Sequence, residues 1–478
     1  MPQPPTTLSD EVGIALGNLA DAAAAPFTPT LRLGVTGLSR AGKTIFITAL
    51  IHNLVTGGRL PGFAAMTEGR FIGARVTEHP DQGVPRFAYE QHLKALTGKP
   101  PTWPESTRKI SQIRLQLKFQ SQRWTRGWQG PTVLNLDIVD YPGEWLLDLP
   151  LLSLNYGEWS AASVIRAEKS PHSERFLNEI RGVDPLAAAD EPTAERLAEA
   201  FTAYLRASRE EGALSTLPPG RFLMPGDLEG SPALTFAPLP APSGPVRSQS
   251  LHAMMARRYE AYKALVVRPF FRDHFARLDR QIVLVDTLRA LNAGPAAVAD
   301  LETALTEILA CFRQGGNNVL TRLVARRIDR ILFAATKADH IHSSSHDRLE
   351  GLMNRLVAQA ARRAKFAGAT TKSVALAAIR ATRESVVEEG GSKHEVIVGT
   401  PQAGETLDGV TYDGKIEVAL FPGDLPAEPD ALLERPVALN FLRFLPPSRL
   451  EKNAEGNVVL PHIRLDRALD FLLGDWLR

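Results

Sequence analysis

Residues 34–44 read GVTGLSRAGKT. Within them Gly37-Leu38-Ser39-Arg40-Ala41-Gly42-Lys43-Thr44 fits GxxxxGK[ST], and Ile45 follows. Glycine at both ends of such a stretch lets the backbone turn tightly and aim its N–H groups inward as an anion nest. The lysine can reach the outer phosphates of a nucleotide as a point charge, and the threonine hydroxyl can serve Mg2+. Arg40 is unusual in this place. It reads either as an internal cation that offsets charge on the phosphates, or as an exposed side chain whose amide alone serves the loop.

Three later segments could complete a nucleotide site. Thr132–Asp140 is an apolar run ending in an acid, and Tyr141-Pro142-Gly143-Glu144 follows, which gives the pattern DxxG. Asp140 can hold a metal-bound water, and the Gly143 amide can sense a γ-phosphate. Arg330–Ala335 runs into Thr336-Lys337-Ala338-Asp339. A carboxylate at Asp339 can accept both ring N–H groups of guanine, and the Lys337 stem can lie along the base. Thr336 stands where asparagine is usual and keeps only a hydroxyl. Asp339 can equally cap the following HIHSSS segment. Arg380-Ala381-Thr382 then stands where a backbone amide near Ala381 would meet the guanine carbonyl oxygen. Asp286, which ends the apolar run Gln281–Val285, is a rival to Asp140 for the metal. The switch that reaches the metal from the γ-phosphate side should lie between the loop helix and the DxxG strand. Thr107 is the candidate there, with Ser106 as its alternative. The catalytic candidates are therefore Lys43, Thr107, Glu144 and Arg40. Glu144 stands where a water-orienting glutamine is common, but it brings negative charge toward a triphosphate, so slow turnover is expected.

The elements around these residues suit the chemistry. Leu31–Val35 alternates as a strand should, and Ile45–Leu54 reads as a buried helix. Strand, glycine loop and helix is the context a phosphate loop needs. Ile113–Phe119, Gln281–Val285, Arg330–Ala335 and Ser373–Ile379 read as further strands. Between DxxG and Gln281 the pattern is mainly helical. Thr193–Leu205 carries one apolar stripe, a Pro-rich stretch spans 236–245, and a helix is predicted over 250–267. Another helix is predicted over 296–313. After residue 385 short strands are expected at His394–Val398 and Gly414–Leu420, and Leu465–Trp476 has one apolar face.

In GLSRAGKT, WPEST, DYPGEWLLDLP, the VDTL strand and ATKADHI the sequence resembles the YcjX-like family of bacterial P-loop proteins, and the intervals between these motifs match as well. The resemblance implies an α/β P-loop NTPase fold of the Ras-like G-domain type, with a large, mainly helical insertion and a β-rich C-terminal extension. The implied division is an N-terminal helix over 1–29, the G domain in two parts over 30–145 and 275–384, the insertion over 146–274, and the extension with a docking helix over 385–478. The resemblance further implies a stress-associated cytoplasmic protein that binds GTP and GDP with Mg2+. It also raises a membrane-associated protein partner. An ATPase or kinase, and a nucleotide-binding scaffold without turnover, are the alternatives.

The bulk numbers bound the rest. In 478 residues the net charge is +2, which does not call for a nucleic-acid partner. The single cysteine, Cys311, rules out a disulfide framework and suits a reducing compartment. No signal peptide or membrane span is expected. Arg348, Arg355 and Arg362 recur every seven residues, with Arg363 and Lys365 nearby. They can form a basic helix face, which admits peripheral contact with a membrane surface. Oligomeric state is not legible in the sequence.

Overall fold

The computed structural model describes residues 28–37, 40–105, 109–122, 131–210, 217–310, 328–366, 368–389, 392–430 and 439–478. The expected N-terminal helix, Leu38, Ser39, Ser106, Thr107 and Cys311 lie outside them. Two compact units form. One takes residues 28–141, 278–299 and 328–478, and the other takes 142–277 and 300–310.

The first unit is built on a seven-stranded mixed sheet. Its strands are β1 (Thr30–Gly37), β2 (Phe71–Thr77), β3 (Ser111–Phe119), β4 (Thr132–Asp140), β5 (Arg280–Val285), β6 (Arg330–Ala335) and β7 (Thr370–Ala375), in the order β2-β3-β4-β1-β5-β6-β7. From β4 through β7 every neighbouring pair is parallel, while β2 and β3 add antiparallel strands at one edge. Parallel strands are covered on both faces, so β5 is buried along its whole length and β6 beyond its first residue. The half-exposed β2 gave no comparable signal. β7 ends at Ala375, earlier than the strand predicted to Ile379. There the ladder changes partner, and Ala377 exchanges both backbone hydrogen bonds with Ile463 (3.1 and 2.8 Å).

Helix Lys43–Thr56 covers one face of the sheet with Phe46, Ile47, Leu50, Ile51 and Leu54. Helix Leu465–Leu473 adds Leu465, Ala468, Leu469, Leu472 and Leu473 to the same core. Arg280, at the start of β5, ties this helix to the sheet. It is buried, reaches Asp329 at 2.9 and 3.0 Å, Asp475 at 2.5 and 2.7 Å, and donates to the Leu472 carbonyl at 2.6 Å. Arg330, at the start of β6, donates to the Phe471 carbonyl at 2.6 Å and meets Asp475 at 3.0 Å. A buried arginine needs such partners to offset lost hydration. Arg114 on β3 likewise grips Asp137 on β4 with two bonds of 2.6 and 2.7 Å. Burial pushes the Asp137 carboxyl up, but the Arg114 bonds prevail and hold it below its ordinary range.

Past β7, strands β8 (Arg383–Glu389) and β9 (Ser392–Gly399) pair with Val418–Leu420 in a three-stranded antiparallel sheet. That last strand is shorter than the Gly414–Leu420 span expected.

The second unit is helical with an aromatic centre. Trp159 lies on helix Tyr156–Glu168, whose start is closed by a capping box between Asn155 and Glu158. Trp159 stacks on Tyr259 at 5.0 Å and meets Phe201 and Phe236 edge-on. Phe236 opens the Pro-rich stretch, which is held without helix or strand. Tyr156 donates to the Ala237 carbonyl (2.8 Å), and the Ser160 hydroxyl both donates to and accepts from the Leu239 backbone (2.7 and 2.8 Å). Helices Glu191–Glu210 and Leu251–Tyr262 match the expected helical patterns, the latter running on through a π-turn over Lys263–Val267 into Arg268–Asp273.

Candidate functional site

The sheet register gathers the expected residues of the first unit along the carboxyl ends of its parallel strands, where open α/β sheets bind ligands. Val35 on β1 stands opposite Asp140 on β4 and Ile282 on β5. Gly37 ends β1 so close to β5 that a Cβ there would lie 2.6 Å from the Leu284 carbonyl oxygen, so only glycine fits. Arg40 and Gly42 both adopt left-handed backbone, with φ of 64° and 83°. Glycine does this freely, whereas arginine is strained by it. The Arg40 side chain is exposed, while Ala41 beside it is buried. Gly42 caps helix Lys43–Thr56 with backbone only, and the first turn carries no acidic residue. The first-turn N–H groups thus meet no carboxylate from their own segment, which suits an anion. Lys43 Nζ donates to the Gly37 carbonyl at 3.2 Å across the loop. Thr44 is buried and Ile45 packs against the core.

Asp140 is buried at the end of β4. Behind it runs a polar chain that sequence patterns do not reveal. Gln281 Nε2 donates to the Tyr141 hydroxyl oxygen (3.0 Å) and to Thr36 Oγ1 (3.1 Å), and Thr36 donates to the Ile282 carbonyl (2.8 Å). β1, β5 and the residue after Asp140 are thereby joined. Burial, reinforced by the Asp140 charge, pushes the Tyr141 hydroxyl far up, so it remains protonated. Among the described residues no group of three or more His, Cys, Asp or Glu side chains could cage a metal. One carboxylate and one hydroxyl, Asp140 and Thr44, are hard oxygen donors of the kind Mg2+ accepts when phosphates complete its shell.

The rival acid Asp286 is engaged otherwise. It pairs with the Lys337 ammonium and accepts the Arg289 N–H at 3.2 Å, capping helix Thr287–Ala293. Lys337 itself is left-handed, with φ of 61°. Thr336 turns both its N–H (2.9 Å) and its hydroxyl (3.2 Å) onto the Val285 carbonyl, so the residue in the asparagine position fastens β6 to β5. Asp339 is buried. Its Oδ2 accepts the Ala381 N–H at 2.8 Å, and its carbonyl accepts the Thr382 hydroxyl. The amide expected to meet a guanine oxygen is therefore turned onto the acid expected to read the same base. Arg380 is held by its N–H on the Pro461 carbonyl (2.7 Å), its Nε on the Thr382 carbonyl (3.0 Å), and Glu384 at 3.2 Å. The C-terminal segment thus shapes this loop directly. His340, beside Asp339, lies edge-on to Phe444 at 5.3 Å, and burial lowers its pKa and keeps it neutral.

Gly143 and Glu144 belong to the helical unit, where Gly143–Ser153 forms a 3-10 helix. The Glu144 carboxylate is buried and paired with Arg209. Asp148, on the same segment, accepts from the Tyr262 hydroxyl (2.6 Å), Gly220 N–H (2.7 Å) and Arg221 N–H (3.3 Å). Arg221 also lies over the Trp145 ring at 3.1 Å. Neither the Arg209 pair nor the Asp148 clamp was visible in the sequence.

The chain belongs to the YcjX-like family, DUF463, whose model matches residues 31–477. It is 39% identical over 462 residues to a protein of Escherichia coli K12 named Ras-like GTPase YcjX, covering 94% of this chain and 96% of that protein. A protein of Shewanella oneidensis with the same name is 37% identical over 472 residues, with 94% of each chain covered.

Proposed function

We propose that the protein binds GTP and GDP and hydrolyses GTP slowly in the presence of Mg2+, as a nucleotide-dependent switch. The carrying observation is the alignment, at the carboxyl ends of β1, β4, β6 and β7, of the glycine loop, Asp140, Thr336-Lys337-Asp339 and Arg380-Ala381-Thr382. The name Ras-like GTPase on two relatives supports the same reading. The amides of Gly37–Ile45 and the Lys43 ammonium would cradle the phosphates. Mg2+ would be held by Thr44 and Asp140, with Thr107 as the proposed switch ligand, and supplies charge stabilisation on the phosphate oxygens. Asp339 would accept the two guanine N–H groups, with Ala381 and Thr382 fixing its orientation and Thr336 and Lys337 stiffening the loop. On its place in the sequence Gly143 is kept as the γ-phosphate sensor. Glu144 is withdrawn as the water-orienting residue because its carboxylate is committed to Arg209. A role in a bacterial stress response rests on the family resemblance alone.

Calorimetric titration of the metal-supplemented protein with GDP and with ADP tests the reading. GDP should bind and ADP should not. Tight ADP binding would replace it with an ATPase or kinase. Asp339→Asn should weaken GDP roughly a hundredfold and favour xanthosine diphosphate, because the reading acid becomes an amide. GDP binding without any phosphate release from GTP would leave a nucleotide-binding scaffold.

A further inference from the structure

A cleft of about 230 Å3 lies on the first unit between the edge strand β7 and helices His346–Leu356 and Ala358–Phe366. Its apolar floor is Phe333, Val357, Ala358 and Ala361, and its rim carries Arg362, Lys365 and Lys372. Ala358, Ala361, Arg362 and Lys365 fall at helical spacing, so one helix face presents both floor and cations. Among the described residues no acidic side chain lines the cleft.

Two observations set these cations apart from the others of the basic stripe. Arg348 and Arg355 are taken up by the chain itself, on the Leu425 carbonyl (2.7 Å) and on Asp430 (2.6 Å). Arg362, Lys365 and Lys372 have no side-chain hydrogen bond or ion pair among the described residues. The same holds for the hydroxyl of Ser373, which lines the cleft although the residue is only 4% exposed. The oxygen itself is not among the buried unpaired atoms, so it is accessible at the cleft and open to a ligand acceptor.

We propose that this cleft is a second anion site, separate from the glycine loop, that takes a phosphate ester. Arg362 and Lys365 meet the phosphate oxygens, Lys372 adds charge from the edge strand, the Ser373 and Thr371 hydroxyls donate to them, and the apolar floor receives a short carbon skeleton. The volume is below the roughly 300–1,000 Å3 of drug-sized ligand sites, which suits a small ester or a headgroup. Such a group comes either from a soluble metabolite or from a phospholipid. Phe366, 91% exposed at the end of the helix that carries Arg362 and Lys365, is placed to enter a bilayer surface if the source is lipid.

The test uses the full chain and glycerol 3-phosphate in calorimetry, with phosphatidylglycerol vesicles in a co-sedimentation arm. The variants are Arg362→Gln/Lys365→Gln/Lys372→Gln, Ser373→Ala and Phe366→Ala, with unchanged GDP binding as the control for folding. At low salt the triple variant should lose at least tenfold in affinity for whichever source binds, and Ser373→Ala should lose less. Loss confined to glycerol 3-phosphate assigns a soluble ester. Loss confined to vesicles, deepened by Phe366→Ala, assigns a lipid headgroup. If the wild type binds neither probe, or binds equally well after the triple substitution, the site does not exist.

Discussion

Arg40 carries two properties that can be separated. Its backbone sits in left-handed space, which costs a non-glycine residue about 1–2 kcal/mol. Its guanidinium is exposed and has no hydrogen bond or ion pair among the described residues. Arg40→Gly therefore removes the cation while easing the backbone. We expect its melting temperature to equal or exceed that of the wild type and its single-turnover GTP hydrolysis to fall roughly tenfold or more, since a cation over the phosphates acts on charge in the transition state. Unchanged turnover would reduce Arg40 to a backbone role. The glycine loop was legible from sequence because its chemistry lies in consecutive residues. The partners Asp286 for Lys337, Gln281 for Tyr141 and Arg209 for Glu144 were not, because they come from distant segments that only the folded sheet or the helical unit brings near.

At the scale of elements, alternation and apolar runs located β1, β3, β4, β5 and β6 to within a few residues. They failed at β2, which is half-exposed, and at the end of β7, where Ile463 intervenes. The segment Gly143–Ser153 yields a prediction of its own. Burial raises the Asp148 carboxyl from 3.8 to about 6, against the pull of its hydrogen bonds. A raised carboxyl favours the folded state when protonated. Its contribution is full below about pH 4 and is lost as pH rises through 6, on the order of 3 kcal/mol in all. Asp148→Asn cannot ionise, so the difference in unfolding free energy between variant and wild type should rise in the variant's favour across that window. A difference that stays flat from pH 4 to 7 would mean the carboxylate is solvated. Asp137 and Asp475, held low by their arginines, act with the opposite sign and only at more acid pH. In the first unit, Leu469→Ala on the C-terminal helix should cost about 2–5 kcal/mol, read by denaturant unfolding, because the side chain is fully buried.

For the whole molecule, the division into two units predicts separable responses to heat. GDP with Mg2+ should raise the transition of the sheet unit, by about 2.7 kcal/mol at a hundredfold excess over Kd. Trp159→Ala should lower the transition of the helical unit by about 3–5 kcal/mol, since this ring is the centre of its aromatic core. A single scanning-calorimetry peak that moves as one body in both experiments would contradict this independence. The core of the sheet unit has one more consequence. Its nucleotide motifs are complete once Thr382 has been made, but the core is closed by Leu465, Leu469, Leu472 and Leu477, the Arg380–Thr382 loop is fastened by Pro461, and Ala377 beyond β7 is fastened by Ile463. During translation this half of the protein must wait for nearly a hundred further residues before its site can set. A ribosome that stalls in that interval leaves a chain with every motif and an open core, because helix Leu465–Leu473 has yet to be made.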